Sequence, residues 1–409
     1  MKKIAVIGGG AAGMMAAISC DGAEVTLFEK NNKPGKKLLI TGKGRCNITN
    51  NCDVNTLISN IISNPSFLYS AFNRFGTQET MDFFEDNGVA LKTERGNRVF
   101  PVSDIAEEVV NALKRAATVK GVKISNNNKV VQVQTKNNVA SALKQENGQT
   151  QSFDAVIIAT GGASYPLTGS TGDGYRFAKE LGHTVTNLKP SLVPIVTREK
   201  WCTQLMGLTL KNITLTLINK KTDLTEYEEL GEMLFTHFGV SGPLVLSASS
   251  HMSQDPCDYI IKLDLKPALD TEKLDKRILQ DFSQNINKDY LNSLSKLLPA
   301  KMIPVMVELS GIDAQKKVNS ITKEERLRLC ALIKELTITP KSFRPLEEAI
   351  VTSGGVSTKE INAKTMESKI IKNLYFAGEV IDVDAYTGGF NLQIAFSTGY
   401  TAGFFAGKE

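Results

Sequence analysis

Apolar and polar positions follow three different rhythms along this chain. Ile4 to Ile7 is a short unbroken apolar run, as in a strand covered on both faces. Met14 to Ser19 then takes helical spacing, and "EVTLFEK" predicts a second strand ending in Glu29. "SFLYSAFNRFGTQETMDFFEDNGV" reads as one helix with an aromatic stripe. "DIAEEVVNALKRAATVKG" predicts an amphipathic helix opened by Ser103-Asp104 and closed by Gly121. "KISNNNKVVQVQ" and Val139 to Leu143 alternate like a small meander, and Phe153 to Ala159 is another buried-strand run ending in Thr160-Gly161-Gly162. From about Lys189 the segments "SLVPIVT", "LKNITLTLI", "GEMLFTHFGVSGP" and "DYIIKLDL" predict an antiparallel barrel or sandwich. Helical periodicity takes over from Thr271 to about Leu336, and strands return at "EEAIVTSGGVS". Near the chain end, "NLYFAGEV" reads as a strand. Thr387-Gly388-Gly389 then opens a helix with Leu392, Ala395, Phe396, Gly399 and Ala402 on one face.

These rhythms predict an α/β fold in which a nucleotide-binding domain is interrupted by a barrel, itself interrupted by helices. The expected boundaries are 1–188 and 358–409 for the discontinuous Rossmann-like domain, 189–270 and 337–357 for the barrel, and 271–336 for the helical subdomain. A chain of 409 residues is too long for one ordinary core and accommodates this division.

The first thirty residues carry specific chemistry. Gly8-x-Gly10-x-x-Gly13 sits between two strand patterns. Gly8 permits the tight turn, Gly10 lets the backbone approach a pyrophosphate, and Gly13 lets the helix lie close to the strand. The helix N-terminus offers N–H groups and partial positive charge to phosphates. Glu29 follows Gly8 by 21 residues and is placed to accept from ribose hydroxyls. The next stretch, Asn31 to Asn50, is basic and broken by glycine, with Lys33, Lys36, Lys37, Lys43 and Arg45 among Gly35, Gly42 and Gly44. Such a loop suits a long cofactor lying extended across the domain. "MKKIAVIGGGAAGMMAAISC" imitates a signal peptide, but its glycines would each cost a helical apolar segment up to about 1 kcal/mol. No run reaches the roughly 18 apolar residues of a membrane span. A cytoplasmic protein without membrane contact is expected.

Composition narrows the chemistry further. The chain has 48 basic against 43 acidic residues, a net charge of +5, too mild to argue for nucleic acid. Six scattered cysteines without a C-x-x-C, and only three histidines, argue against a metal site, a dithiol centre or a disulfide framework.

"GKKLLITGKGRCNITN", "GNRVFPVSDIAEEVVNAL", "VIIATGGASYPLTGSTGDGY", "EMLFTHFGVSGP" and "SGGVSTKEINAKTMESKIIKNLYFAGEVIDVDAYTGGFNLQIAFSTG" together resemble the BaiN-like (YhiN-type) bacterial flavoproteins. These are described as NAD(P)/FAD-dependent oxidoreductases and include aminoacetone oxidase-like members. The resemblance runs collinearly over nearly the whole chain. It implies FAD, a two-part FAD domain and an inserted substrate domain.

The cofactor-binding residues expected on these grounds are Gly8, Gly10, Ala11, Ala12, Gly13, Glu29 and Lys30. Lys36, Lys37, Thr41, Gly42, Gly44, Arg45, Cys46 and Asn47 follow from the basic loop. Val130 and Val131 are expected near adenine, and Ala159, Thr160 and Gly161 at a strand end. Gly378, Glu379, Asp382, Gly388, Gly389, Asn391 and Leu392 come from the chain end. No second G-x-G-x-x-G is present, so NAD(P)H would act as a transient donor, and O2 remains an alternative redox partner. Cys46 has Cys52 as its nearest cysteine, which favours a structural or flavin-lining role. Tyr165 and His237 are the candidate proton donors or acceptors, with "EMLFTHFGVSGP" as a pocket wall. The expected function is hydride transfer between flavin and a small organic substrate. The competing reading is a tRNA-modifying or nucleic-acid-binding flavoprotein.

Overall fold

The computed structural model describes residues 1–252 and 255–408. They fall into two compact units, one made of Met1–Ser191 with Pro345–Glu409 and the other of Leu192–Arg344.

The first unit is built on a parallel sheet. Its strands are β1 (Lys3–Ile7), β2 (Glu24–Phe28), β3 (Lys123–Ser125), β4 (Ala155–Ile158) and β5 (Leu374–Phe376). They lie in the order β5-β4-β1-β2-β3, every neighbouring pair parallel. Neighbours on either side of β1 are reached by connections in opposite directions, which opens a crevice beyond the strands' carboxyl ends. Helix α1 (Ala11–Ile18) follows β1 directly and is buried on all sides.

The C-terminal helix α2 (Phe390–Gly407) packs against α1 at backbone distance. A Cβ on Gly399 would lie 2.4 Å from Ala12 O, and one on Gly403 would lie 2.1 Å from Ala16 O. Gly407 continues the row against Asp21 O at 3.1 Å. Glycine at every fourth position gives α2 a flat strip along which another helix can lie. The stretch that imitates a signal peptide thus forms strand β1 and helix α1. Among the described residues no helix is long and apolar enough to cross a membrane.

Two expectations need correction. The aromatic segment is two helices, Tyr69–Arg74 and Thr77–Asp86, separated at Phe75-Gly76. Glu79 folds back to accept the Gly76 N–H at 2.9 Å, so the glycine starts a new helix. "KISNNNKVVQVQ" is also divided. Lys123–Ser125 joins the parallel sheet as its edge, whereas Val130–Lys136, Val139–Gln145 and Thr150–Ser152 form a separate antiparallel meander. The run of asparagines between the two supplies the turn that the alternation pattern did not register.

The second unit holds a seven-stranded sheet whose pairings are all antiparallel. Its two outermost strands, Leu336–Ile338 and Pro340–Phe343, are separated in the chain by Thr339 alone. One residue spans only about 3.5 Å, so the two edge strands come close where Thr339 joins them. Helices Thr271–Ser283, Tyr290–Ser293, Ile303–Ser310 and Lys323–Lys334 fill the chain between strands Tyr259–Asp264 and Leu336–Ile338.

Candidate functional site: a dinucleotide groove in the first unit

The crevice beyond β1, β2 and β4 is a groove enclosing about 1310 Å³, part of it open to solvent. Sixteen of the expected cofactor residues line it: Gly8, Gly10, Ala11, Ala12, Glu29, Lys30, Lys36, Lys37, Thr41, Val130, Ala159, Thr160, Gly161, Glu379, Asn391 and Leu392. Strand ends bring Gly8, Glu29 and Ala159 together. The chain end contributes Glu379, Asn391 and Leu392 to the same wall.

The turn after β1 is built as its glycines require. Gly8 has φ +105°, and a Cβ there would meet Ala159 O at 2.5 Å. A Cβ on Gly13 would meet Gly8 O at 1.8 Å, whereas one on Gly10 would meet nothing within 4 Å. Gly10 therefore leaves space on the groove side, and Gly13 serves helix packing from outside the lining. Met14 N–H closes the first helical bond, to Gly10 O at 2.9 Å. The N–H groups before it stand outside the ladder at the positive end of the helix.

Glu29 is buried, and its carboxylate is oriented by three donors. Gly9 N–H reaches Oε2 at 2.8 Å, while the Asn31 backbone N–H and Nδ2 both reach Oε1 at 2.8 Å. A Cβ on Gly9 would lie 2.9 Å from Glu29 Oε2, so the middle glycine of "GGG" makes room for this carboxylate.

The groove's lysines divide by partner. Lys30 pairs with Asp173 at 2.7 Å, and Lys37 with Glu379 at 2.8 Å. Glu379 also accepts from Ser164 Oγ at 3.2 Å and Thr352 N–H at 2.9 Å. Lys36 instead points at an amide oxygen, Asn31 Oδ1, at 3.2 Å.

Gly42, Gly44, Arg45, Cys46, Asn47, Val131, Gly378, Asp382, Gly388 and Gly389 lie outside the groove lining, as does Gly13. Arg45 Nε donates to Asp104 at 2.8 Å, its guanidinium also pairs with Glu94, and it lies 4.1 Å over the Phe100 ring. Gly42 packs near Asn47 N, and Cys46 is fully buried, with burial pushing its thiol up to about 12. Val131 offers its carbonyl to Arg176 at 2.9 Å. Gly378 faces Ala12 of α1. Gly388 and Gly389 face the Thr49–Asn50 strand, with Asn50 Nδ2 donating to Gly388 O at 3.1 Å. The carbonyl of Asp382 accepts from Asn64 Nδ2 at 2.7 Å, and burial raises its carboxyl above the ordinary range.

Tyr165 is half-buried in the first unit, outside the groove lining, at φ 53°. Burial first, and then Glu348, raise its phenol above the ordinary value, so the hydroxyl stays protonated and can donate. His237 belongs to the second unit, where it is exposed and meets the Phe238 ring edge-on at 4.9 Å. Among the described residues no cluster of His, Cys, Asp and Glu is placed to hold a metal.

Several lining residues were absent from the sequence-based set: Gly9, Asn31, Asn128, Lys129, Thr168, Gly169, Ser170, Asp173 and Ala395. The middle glycine of "GGG" and the Asn two places after Glu29 were available signals. The "TGSTGDG" loop bore a signal too, since its glycines mark a close approach, but its partner across the groove was not readable.

The geometry accepts FAD. An open strip at Gly10, a helix start, a three-donor Glu29 and a long groove match the adenosine and diphosphate of a dinucleotide. Thr160 Oγ1, at the groove, is buried without a hydrogen-bond partner among the described residues. Fold and site together define an FAD-binding oxidoreductase.

The family model described as "HI0933-like protein Rossmann domain" matches residues 2–405, and the chain belongs to that family. It is 31% identical over 410 residues to the 3-dehydro-bile acid delta(4,6)-reductase of Clostridium scindens, covering 98% of both chains. It is 34% identical over 402 residues to a ribosomal RNA dihydrouridine synthase of Haemophilus influenzae, covering 97% of this chain and 96% of the relative. Among solved structures, its fold is similar to the 3-ketosteroid-delta4-(5alpha)-dehydrogenase of Rhodococcus jostii RHA1 in complex with 4-androstene-3,17-dione. That likeness has a TM-score of 0.53 at 14% identity and covers 100% of this chain and 97% of that one. The motif-based resemblance to the BaiN-like flavoproteins therefore holds.

Proposed function

We propose that this protein is an FAD-dependent reductase that saturates a carbon–carbon double bond conjugated to a carbonyl, with NAD(P)H as the transient electron source. The observation that carries the reading is the dinucleotide groove, with Glu29 held by Gly9 and Asn31, in a chain similar end to end to a named reductase. The relatives' names support the bond type. A 3-dehydro-bile acid carries a ketone in conjugation with its delta(4,6) double bonds, and dihydrouridine is uridine saturated at a carbonyl-conjugated bond.

Bound FAD would supply hydride transfer between the two substrates. Glu29 would fix the ribose, the start of α1 and Lys36 would face the diphosphate, and the wall from Glu379 to Leu392 would flank the remainder of the groove. Saturating the bond also requires a proton at the second carbon. Tyr165, held protonated, or His237 supplies it in this reading. Lacking a second nucleotide fingerprint, the chain takes up the nicotinamide donor only transiently.

The test is anaerobic NADH or NADPH oxidation by the flavin-loaded protein with a 4-ene-3-ketosteroid, and separately with uridine-containing ribosomal RNA. Steroid-dependent oxidation with a saturated product supports a small organic substrate. Two relatives named as ribosomal RNA dihydrouridine synthases favour the RNA arm as the second reading. Against it, strand Leu224–Phe235 exposes Glu226, Glu228, Glu229 and Glu232, which would repel phosphate. Reaction with neither substrate, together with O2 consumption on an amine, would overturn the reductase reading. Tyr165→Phe and His237→Ala identify the donor: the correct one should lose about 10²–10⁴-fold in turnover with flavin content unchanged.

A further inference from the structure

We infer that Asn31 is the positioning residue of the nucleotide site, a single amide that sets the ribose carboxylate, the diphosphate-side cation and the covering loop together. This rests on the FAD reading above and concerns residues of this chain only.

The Asn31 side chain makes three connections in three directions. Nδ2 donates to Glu29 Oε1 at 2.8 Å and to Thr168 O at 3.1 Å. Oδ1 accepts from Lys36 Nζ at 3.2 Å. Its backbone N–H adds a further bond to Glu29 Oε1 at 2.8 Å. The three partners come from the end of β2, the start of the basic helix Lys36–Ile40 and the loop ahead of helix Asp173–Glu180, and all line the groove. An amide presents two N–H donors and an acceptor oxygen on one uncharged planar end, so it can hold all three partners at once.

The surroundings are shaped to it. A Cβ on Gly169 would lie 2.5 Å from Asn31 Nδ2, so the loop approaches the amide only as glycine. The neighbouring Lys30–Asp173 pair, at 2.7 Å, ties the same loop to the residue before Asn31. Lys30 and Lys37 are neutralised by carboxylates, at 2.7 and 2.8 Å, whereas Lys36 is held by the Asn31 amide oxygen and keeps its full charge for an anion. Asn31 therefore orients Lys36 without cancelling it, which an aspartate there could not do.

The substitution Asn31→Asp separates positioning from packing, because it preserves shape. It removes the donor to Glu29 and Thr168, sets a carboxylate against Glu29 and neutralises Lys36. Asn31→Ala removes the three side-chain connections without adding charge. FAD dissociation constants are read by flavin fluorescence on apoprotein. Unfolding of the apoprotein is followed by heat with and without ADP, which carries only the ribose and diphosphate half. The expected loss is about tenfold for Asn31→Ala and about a hundredfold for Asn31→Asp, with the ADP-induced rise in melting temperature reduced in both, more in Asn31→Asp, and the apoprotein's own melting unchanged.

Wild-type affinity in Asn31→Asp would overturn the inference, as would a loss matched by lowered apoprotein melting. If Asn31→Asp does not fold, Asn31→Ser carries the same comparison with Asn31→Ala's expectation. Wild-type apoprotein that binds neither FAD nor ADP would overturn the cofactor reading itself, and this inference with it.

Discussion

The helix layer beside the groove in the first unit is packed differently from the sheet of the second. In that layer, the close contacts are made against backbone atoms. Gly399 and Gly403 lay α2 on α1, Gly13 lays α1 on the turn after Gly8, and all eight residues of α1 are buried although four of them are alanine and one glycine. In the second, the sheet is filled by large alternating side chains such as Leu215, Leu217, Phe235, Ile261 and Leu263. A backbone contact tolerates one residue type, whereas an apolar interior accepts many of similar volume. The layer that carries the glycine turn is therefore written in narrow sequence choices, and the apolar interiors of both units in broad ones.

The sharpest way to break this contrast is Gly403→Val. Its Cβ would lie 2.1 Å from Ala16 O, and a backbone oxygen cannot swing aside as a side chain can. Helices α1 and α2 would have to separate, and α1 carries the groove's glycine turn. We expect a loss of about 4 kcal/mol, at the upper end for a single substitution. Thermal unfolding and flavin content of the purified protein check it, and both should fall.

Leu263→Ala is the matching cut in the second unit. Leu263 is fully buried in the strand Tyr259–Asp264, and removing its side chain leaves a cavity, at about 2–5 kcal/mol. The second unit should melt earlier while flavin content per folded molecule stays near wild type. Equal loss of flavin in the two variants would show that the contrast between the cores has no bearing on the groove.

The same contrast explains what could be read in advance. The glycine turn, Glu29, the strand end at Ala159 and the returning chain end were readable because each needs a particular residue at a particular spacing. Arg45, Gly388 and Gly389 share the basic, glycine-rich character of groove residues, yet their partners are Glu94, Asp104 and the Thr49–Asn50 strand. Spacing along the chain gives no sign of those partners, which come from elements up to 338 residues away. For Asn31, the place two residues after Glu29 is a local signal, but its bond to Thr168, 137 residues further on, has no sign in the spacing. In the second unit, alternation announced strands and said nothing of order or closure.

The mildest test concerns Asp384, a carboxyl of the first unit with no exposure to solvent. It accepts from Ser191 Oγ at 2.7 Å and Ser353 Oγ at 3.3 Å, hydroxyls on the paired strands Lys189–Ser191 and Val351–Ser353. Burial raises it above the ordinary carboxylate value, serine hydroxyls pull it partly back, and Glu379 adds to the rise. A group whose folded value is raised contributes stability that is complete below its unfolded value of 3.8 and is lost as pH climbs through the folded value. At neutral pH the ionised carboxylate is therefore a cost to the folded state. An asparagine side chain at this position would not carry that cost and would still accept from one serine. Asp384→Asn should be more stable than wild type by about 1 kcal/mol near neutral pH, with the advantage vanishing below about pH 4. Chemical unfolding of both proteins across that range checks it. Destabilisation at every pH would mean that the serines need the second carboxylate oxygen more than the fold gains by losing the charge.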